Sequence, residues 1–431
     1  MTDESGHAAT ADVARATLRD RLARLAVDLT PLRRYPAYRR LWLGQTVSYI
    51  GTEVAEIAVA YQVYQLTKST LAVGLIALTR LIPLLTLALI GGAIADAVDR
   101  GRLMLVQQIG MLVGSVGLGI NALLAHPRVW PLYAFAFLTQ AFFSLGVGAQ
   151  RALTPQLVAE EDFLAASALN SITSQFGAVA GPAFAGVLIN FVSLDWLYFG
   201  DAISYAGTVA ALALLPRLAA PPDADRPSLG SIVTGFKYVR SQPVILGFFL
   251  VDTNAMIFGM PMALFPAIAA HQYGDASLVG YLYTAPAFGA LLVSLASGPL
   301  RHVRRQGLGV VVAATLWGVV IGTFGFANQL WLGLLLLGAA GAADQVSAIL
   351  RSVMLYRITP SHLLGRLSGI EFMQVASAPS VGNIEAGALA SATSVRFSIV
   401  SGGIATAVGC VLVGLAFPAL LRYDASRNTS Q

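Results

Sequence analysis

The feature that most constrains this chain is the recurrence of long apolar stretches. Twelve of them lie at about 41–65, 72–95, 102–125, 129–150, 164–191, 195–216, 243–269, 277–299, 308–327, 329–350, 367–390 and 396–421. Each is long enough to cross about 30 Å of hydrocarbon as a helix. Lipid offers no partner for backbone N–H and C=O groups, so such stretches must satisfy them internally. Composition agrees. Of 431 residues 56% are hydrophobic and 11% charged, against about 25% charged in soluble domains. Mean hydropathy is +0.70. The chain reads as an all-α polytopic membrane protein with twelve transmembrane helices.

Composition also narrows the chemistry. A net charge of +5 would suggest nucleic acid in a soluble protein. Here the basic residues fall in short loops between spans, so no nucleic-acid partner is expected. The single cysteine, Cys410, rules out an intrachain disulfide and a cysteine metal cluster. His7, His126, His271, His302 and His362 are scattered through tails and loops, which argues against a metal site. No phosphate-binding Walker loop is present, excluding ATP-driven transport by this chain alone. No enzyme constellation and no cofactor are expected. Residues 1–30 are polar and Arg-rich without an apolar core; no cleavable signal is expected, and the first span should itself direct insertion. Within them "DVARATLRDRLARLAV" suits either a basic helix on an anionic leaflet or a solvated tail.

The longest polar connection, "RLAAPPDADRPSLGSIVTGFKYVRSQP", separates the sixth and seventh spans. The expected organisation is a tail at 1–36, a six-helix bundle at 37–216, a central loop at 217–241, a second bundle at 242–422 and a tail at 423–431. Of 27 Lys and Arg residues, only Lys68, Arg128 and Arg396 fall in loops on the side opposite the termini, and Arg80 falls within a span. That bias places both termini in the cytoplasm, at a bacterial inner membrane. The halves also resemble each other. "GGAIADAVDRGRL" follows the second span and "ASGPLRHVRRQGL" the eighth, with Gly92 and Gly298 in register. Repeated six-helix halves are a transporter architecture.

At these residues the chain resembles the major facilitator superfamily. The family's loop after the second helix reads roughly Gly-x-x-Ala-Asp-Arg-x-Gly-Arg-Arg. Here Gly92, Ala95, Asp96, Arg100 and Arg102 match, while Ala97 and Asp99 depart from it. The resemblance implies a cytoplasmic gate in which Asp96 pairs with Arg100 or Arg151. The fifth span carries Gly177, Gly181, Pro182 and Gly186, which look like the Gly-x-x-x-Gly-Pro signature of the superfamily's antiporters. The plain structural reading is a close helix contact through small residues with a proline kink. "DTNAMIFGMPMALFPAIA", "FGDAISY" and "SVGNIEAGALA" resemble the twelve-span drug:proton antiporter branch that contains the enterobactin exporter and macrolide efflux proteins.

The acids within spans carry the most information. Charged groups there are costly and are functional candidates by default. They are Glu53 and Glu56 in the first span, Asp201 in the sixth, Asp252 in the seventh, Asp344 in the tenth, and Glu371 and Glu385 in the eleventh. Glu53 and Glu56 stand one turn apart on a stripe with Gln45, Tyr49 and Thr52, opposite Val47, Ile50, Val54 and Ile57. In the resembled fold the first, fourth, seventh and tenth helices line a central cavity. Gln140, Asp252, Asn254 and Asp344 would converge there with Glu53, Glu56 and Tyr49. Repulsion between the two glutamates favours protonation of one, which suits proton coupling. Alternatively one of them only neutralises Arg80. Asp201 and Glu385 are read as lying near helix ends, and Glu371 near the cytoplasmic end of its helix.

The expected function is secondary transport, driven by the proton gradient, that exports an amphipathic compound such as a drug or siderophore. A proton-coupled importer, a lipid transporter of the same fold and a transport-inactive sensor or scaffold are the alternatives. A monomer in the lipid bilayer is expected.

Overall fold

The structure, a computed structural model, describes residues 28–214 and 229–424, excepting the side chains at 88–97, 148, 151–152, 175, 229–234, 301–302, 361–362 and 365. The N-terminal basic segment, the Pro-rich start of the central connection and the last seven residues lie outside them. All regular structure among the described residues is helical. Twelve long helices run as α1 Pro36–Thr67, α2 Thr70–Ala97, α3 Arg100–Leu123, α4 Val129–Leu157, α5 Phe163–Phe191, α6 Leu194–Ala213, α7 Pro243–Phe258, α8 Val279–Leu295, α9 Gln306–Phe324, α10 Leu330–Ile358, α11 Ser361–Ala392 and α12 Val395–Ala416.

Nine segments among the described residues are apolar and long enough to cross a membrane by length and composition; α1, α6 and α11 fall short. Those three carry acids and amides that the rest of the bundle covers, so their polarity faces inward. The outward surface is the complement. Val47, Val113, Ile120, Leu335 and Leu415 are exposed, as a lipid-facing belt requires. Trp130, Trp196 and Trp331 open α4, α6 and α10 and are 65%, 63% and 64% exposed, all at the end of the bundle away from the chain termini. This end is called the far side below. Exposed tryptophans at one level are the mark of a membrane interface.

The two halves use the same packing scheme. In the first, α2 packs on α4, α3 on α4 and α6, and α1 on α5 and α6; in the second, α8 packs on α10, α9 on α10 and α12, and α7 on α11 and α12. The halves meet where α2 crosses α11 and α5 crosses α8, contacts that the same pseudo-symmetry interchanges.

Three boundaries differ from the sequence reading. The central connection is not all loop, because Leu229–Ser241 forms a helix. It docks on the second half, with Tyr238 donating to the Ile358 carbonyl at 3.2 Å. The seventh span ends its regular helix at Phe258, where Gly259 and Pro261 interrupt it, and continues through short turns to Gln272. The tenth helix runs eight residues past the expected end at 350, which takes Arg351 inside the bundle.

Candidate functional site

Between the halves lies a cavity of about 460 Å³. The second half contributes mostly apolar surface, including Met260, Phe265, Trp317 and Leu337, with Asp344 of α10 as its acid. The first half contributes Glu53, Glu56 and Arg80. A second cavity of about 220 Å³ lies within the first half alone, bordered by α1, α2, α3, α4 and α6. Glu53, Glu56 and Arg80 line both cavities. The glutamate pair is therefore the wall between an apolar central chamber and a polar side compartment.

The local geometry follows from small residues on α5. A side-chain carbon at Gly177 would run into the Tyr49 ring, and one at Gly181 would run into Cβ of Glu53. The two glycines thus leave the space that Tyr49 and Glu53 occupy. Gly186 does the same between halves, since its missing Cβ would lie 2.9 Å from Cα of Gly280 on α8. The Gly-rich signature of α5 holds the acid-bearing face of α1 and closes one inter-half contact. Arg80 Nη1 donates to Glu56 Oε2 at 2.6 Å, with the side chains 23% and 37% exposed. The pair is partly open to both cavities, so the bond is weaker than that of a fully enclosed pair. Glu53 has no ion pair among the described residues.

The stripe of α1 opens differently from the expectation. Gln45, Tyr49 and Thr52 line the side compartment rather than the central cavity, together with Gln140 of α4. Val47 is exposed toward lipid, while Val54 and Ile57 are buried.

Asp252 and Asn254 do not line the central cavity, correcting that expectation. Asp252 is 5% exposed and paired with Arg351 of α10, which is equally buried. Gln374 of α11 donates to Asp252 Oδ2 at 3.0 Å, to Thr253 Oγ1 at 2.9 Å and to the Phe249 carbonyl at 3.0 Å. The cluster ties α7, α10 and α11 together. Asn254 faces α12 and donates to the Thr406 carbonyl at 3.0 Å. Both polar residues of α7 are satisfied within the second half, on different sides of the helix.

Gly92, Asp96 and Arg151 of the expected gate lie outside the residues whose side chains are described. Arg100 is buried in the first turn of α3, and Arg102 N–H donates to Asp99 Oδ1 at 2.9 Å. Asp99, a departure from the family pattern, is the N-cap of α3. Pro182 lines the central cavity.

Two residues are placed differently from the sequence expectation. Arg351 lies past the expected end of its span. Asp201, read as lying near a helix end, sits two turns inside α6 at 4% exposure, where Ser115 of α3 donates to Oδ2 at 2.6 Å. The signal for Asp201 is present in the sequence: an acid in a run of small apolar residues.

On the far side the halves touch backbone to backbone. The Thr70 hydroxyl of α2 donates to the Gly387 carbonyl of α11 at 3.0 Å. A Cβ on Gly74 would lie 2.6 Å from the Asn383 carbonyl oxygen. With Gly186 against Gly280, both inter-half crossings are closed at that end.

Comparison with known proteins agrees with this architecture. A family model described as "Transmembrane secretion effector" matches residues 26–430. The chain is 31% identical over 396 residues to the Enterobactin exporter EntS of Citrobacter koseri, covering 92% of this chain and 94% of that one. It is 30% identical to EntS of Escherichia coli O81, covering 90% and 92%. Among solved structures, the nucleoside transporter NupG superposes with a TM-score of 0.69 at 14% identity, over 90% of this chain and 99% of that one. A bacterial homologue of the iron transporter ferroportin gives 0.66 at 12%, over 90% of this chain and 99% of that one. Likeness at such low identity speaks to the fold alone. The chain belongs to the transmembrane secretion effector family of the major facilitator superfamily, a family of membrane transporters.

Proposed function

We propose that this chain is a proton-coupled exporter of an amphipathic organic molecule, working by alternating access at a bacterial inner membrane with both termini in the cytoplasm. The observation that carries the reading is the Glu53–Glu56 pair with its single arginine, standing between an apolar chamber and a polar one. The chamber is sealed on the far side by glycine–backbone contacts. With the basic loops in the cytoplasm, that state receives substrate from the cytoplasm or inner leaflet. Proton binding at the pair neutralises a carboxylate and releases Arg80 from Glu56, which changes the charge facing the substrate. A ligand drives such a switch only through different affinity for the two states.

Export direction is supported by relatives named as exporters, which also puts siderophores among candidate substrates. The cavity's own charge favours neutral or cationic amphipaths. Glu53, Glu56 and Asp344 line it against Arg80 alone among the described basic residues, so a polyanion meets repulsion there. Aromatic and thioether surface from Phe265, Trp317 and Met260 suits a lipophilic body and cation–π contact.

The test is efflux in inverted vesicles under an imposed pH gradient. Glu53→Gln and Glu56→Gln are each expected to abolish gradient-driven transport while inserting normally. Parent-like transport by both single variants would show that neither carries coupling. Expression should lower cellular accumulation of a transported compound, and a protonophore should restore it. Accumulation that rises on expression and collapses with the protonophore would mean import.

A further inference from the structure

The side compartment is lined only by residues of α1, α2, α3, α4 and α6, so a substrate moving between the halves has no need to enter it. Its floor is Asp201. Oδ2 of this carboxyl has one hydrogen bond, from Ser115, and Oδ1 has no hydrogen-bond partner; no ion pair involves Asp201 among the described residues. Oδ1 packs against Gly51 of α1, where a Cβ would lie 2.8 Å from it. Nearby, the buried amide oxygens of Gln107 and Gln108 also lack donors.

Buried acceptors without donors are rare in native structures unless water or an ion satisfies them. The compartment's volume of about 220 Å³ holds several waters at about 30 Å³ each. Its polar lining forms a continuous series. Gln150 is exposed and Gln45 half-buried at the end bearing the termini; Gln107 and Gln108 are buried beyond them, followed by Ser115, Thr52 and Asp201. The Thr52 and Tyr205 hydroxyls meet at 2.5 Å beside it.

Charge bookkeeping narrows the occupant. The titratable groups facing Asp201 are Glu53, Glu56 and Tyr49 from α1, Arg80 from α2 and Tyr205 from its own helix, whereas α3 and α4 offer amides and hydroxyls among their described residues. Three ionised carboxylates against one arginine would leave two excess negative charges in a low-dielectric interior, a state that buried sites avoid by taking up protons. A bare hard metal cation would need about six to eight oxygens closing round it. The Asp201 oxygens instead contact one hydroxyl and a glycine.

We propose that this compartment is a proton site separate from the substrate route, with Asp201 as its carboxyl; this deepens the proton-coupled reading above and rests on it. In the state closed on the far side, a carboxylic acid of the Glu53–Glu56 pair passes its proton through water to Asp201, becoming a carboxylate as Asp201 becomes a carboxylic acid. Asp201 then releases the proton through the compartment's water to the side bearing the termini. Protons thus leave the glutamate pair on one face while substrate meets it on the other.

The test uses purified full-length protein in liposomes and three readouts. Carbodiimide modification, located by peptide mass, reports protonated carboxyls in apolar surroundings whether or not transport is coupled. The Asp201 peptide should be modified at low pH, and modification should fall at least tenfold at high pH as the acid loses its proton. Asp201→Asn should lower pH-gradient-driven transport more than tenfold while lowering substrate exchange without a gradient less than threefold. Gln108→Leu, which dries the route without touching a carboxyl, should slow gradient-driven transport with exchange affected less.

An unmodified Asp201 at every pH would overturn the proposal. So would unaltered gradient-driven transport in Asp201→Asn, equal loss of both transport modes in that variant, or protection of Asp201 by sodium at fixed pH. A parent protein indifferent to the pH gradient would instead refute the coupled reading, with Asp201 modification still reporting the site.

Discussion

The close approach of Gly280 to Gly186 between the two halves offers a sharp test of the proposed switching. A methyl group at position 280, introduced as Gly280→Ala, would lie inside van der Waals contact with Cα and N of Gly186 and 2.7 Å from the Pro182 carbonyl oxygen. These are backbone atoms with no side chain to swing aside. Restoring roughly 3.5 Å contacts requires α5 and α8 to part by about 1 Å. Overpacking of this kind costs about 1–3 kcal/mol, and the cost falls only on the state in which the helices touch. At about 1.4 kcal/mol per tenfold change, the ratio of far-side-closed to far-side-open molecules should fall roughly 5- to 150-fold. The assay is accessibility of a cysteine placed at Ala60, which lines the central cavity, to an impermeant thiol reagent added on the far side. It is run in a Cys410→Ala background, since Cys410 is the only native thiol. Labelling should rise in Gly280→Ala, and a spin-label distance across the far-side ends of α5 and α8 should lengthen. Unchanged labelling and distance, in a variant of normal thermal stability, would show that this contact does not hold the far side shut.

Other perturbations probe the supports of the site. Arg351→Met leaves Asp252 as an unpaired buried acid and should cost about 3–5 kcal/mol; Asp252→Leu combined with it should recover most of the loss in thermal unfolding in detergent. Gly181→Val places carbons where Cβ of Glu53 lies, so it should reduce gradient-driven transport at least tenfold through displacement of Glu53, a change of about 1.4 kcal/mol or more in the coupled step. Transport at the parent rate would show that α5 does not position that acid. Tyr38→Phe removes hydrogen bonds from the Tyr38 hydroxyl to the Ala166 carbonyl and Asn170 Oδ1, both 3.0 Å. It should lower stability by about 1–2 kcal/mol without altering coupling.

Much of this molecule was legible in one dimension, because lipid imposes a length and polarity on every crossing segment. Apolar run length marked a stretch at each of the twelve long helices, although α1, α6 and α11 are too polar to qualify as crossings by length and composition, and the internal repeat announced two related halves. The acids of α1 stood out because an ionisable group in hydrocarbon needs a reason to be there. Helix ends were less legible. Arg351 extends an apolar helix by a charge that the buried Asp252 pairs with, and Asp252 is in turn held by Gln374, so its place inside the protein depends on a partner 99 positions away. Which way a polar residue faces was decided by the tertiary structure alone. Asp252 and Asn254 turn toward α10, α11 and α12, whereas Asp344 faces the chamber, and no local pattern on α7 or α10 separates those outcomes. Asp201 acquired its compartment only when α1, α3 and α6 came together around it. The sequence by itself determined the all-helical membrane class and the family; packing decided which charges meet, because a buried carboxylate is defined by neighbours that sequence distance does not reveal.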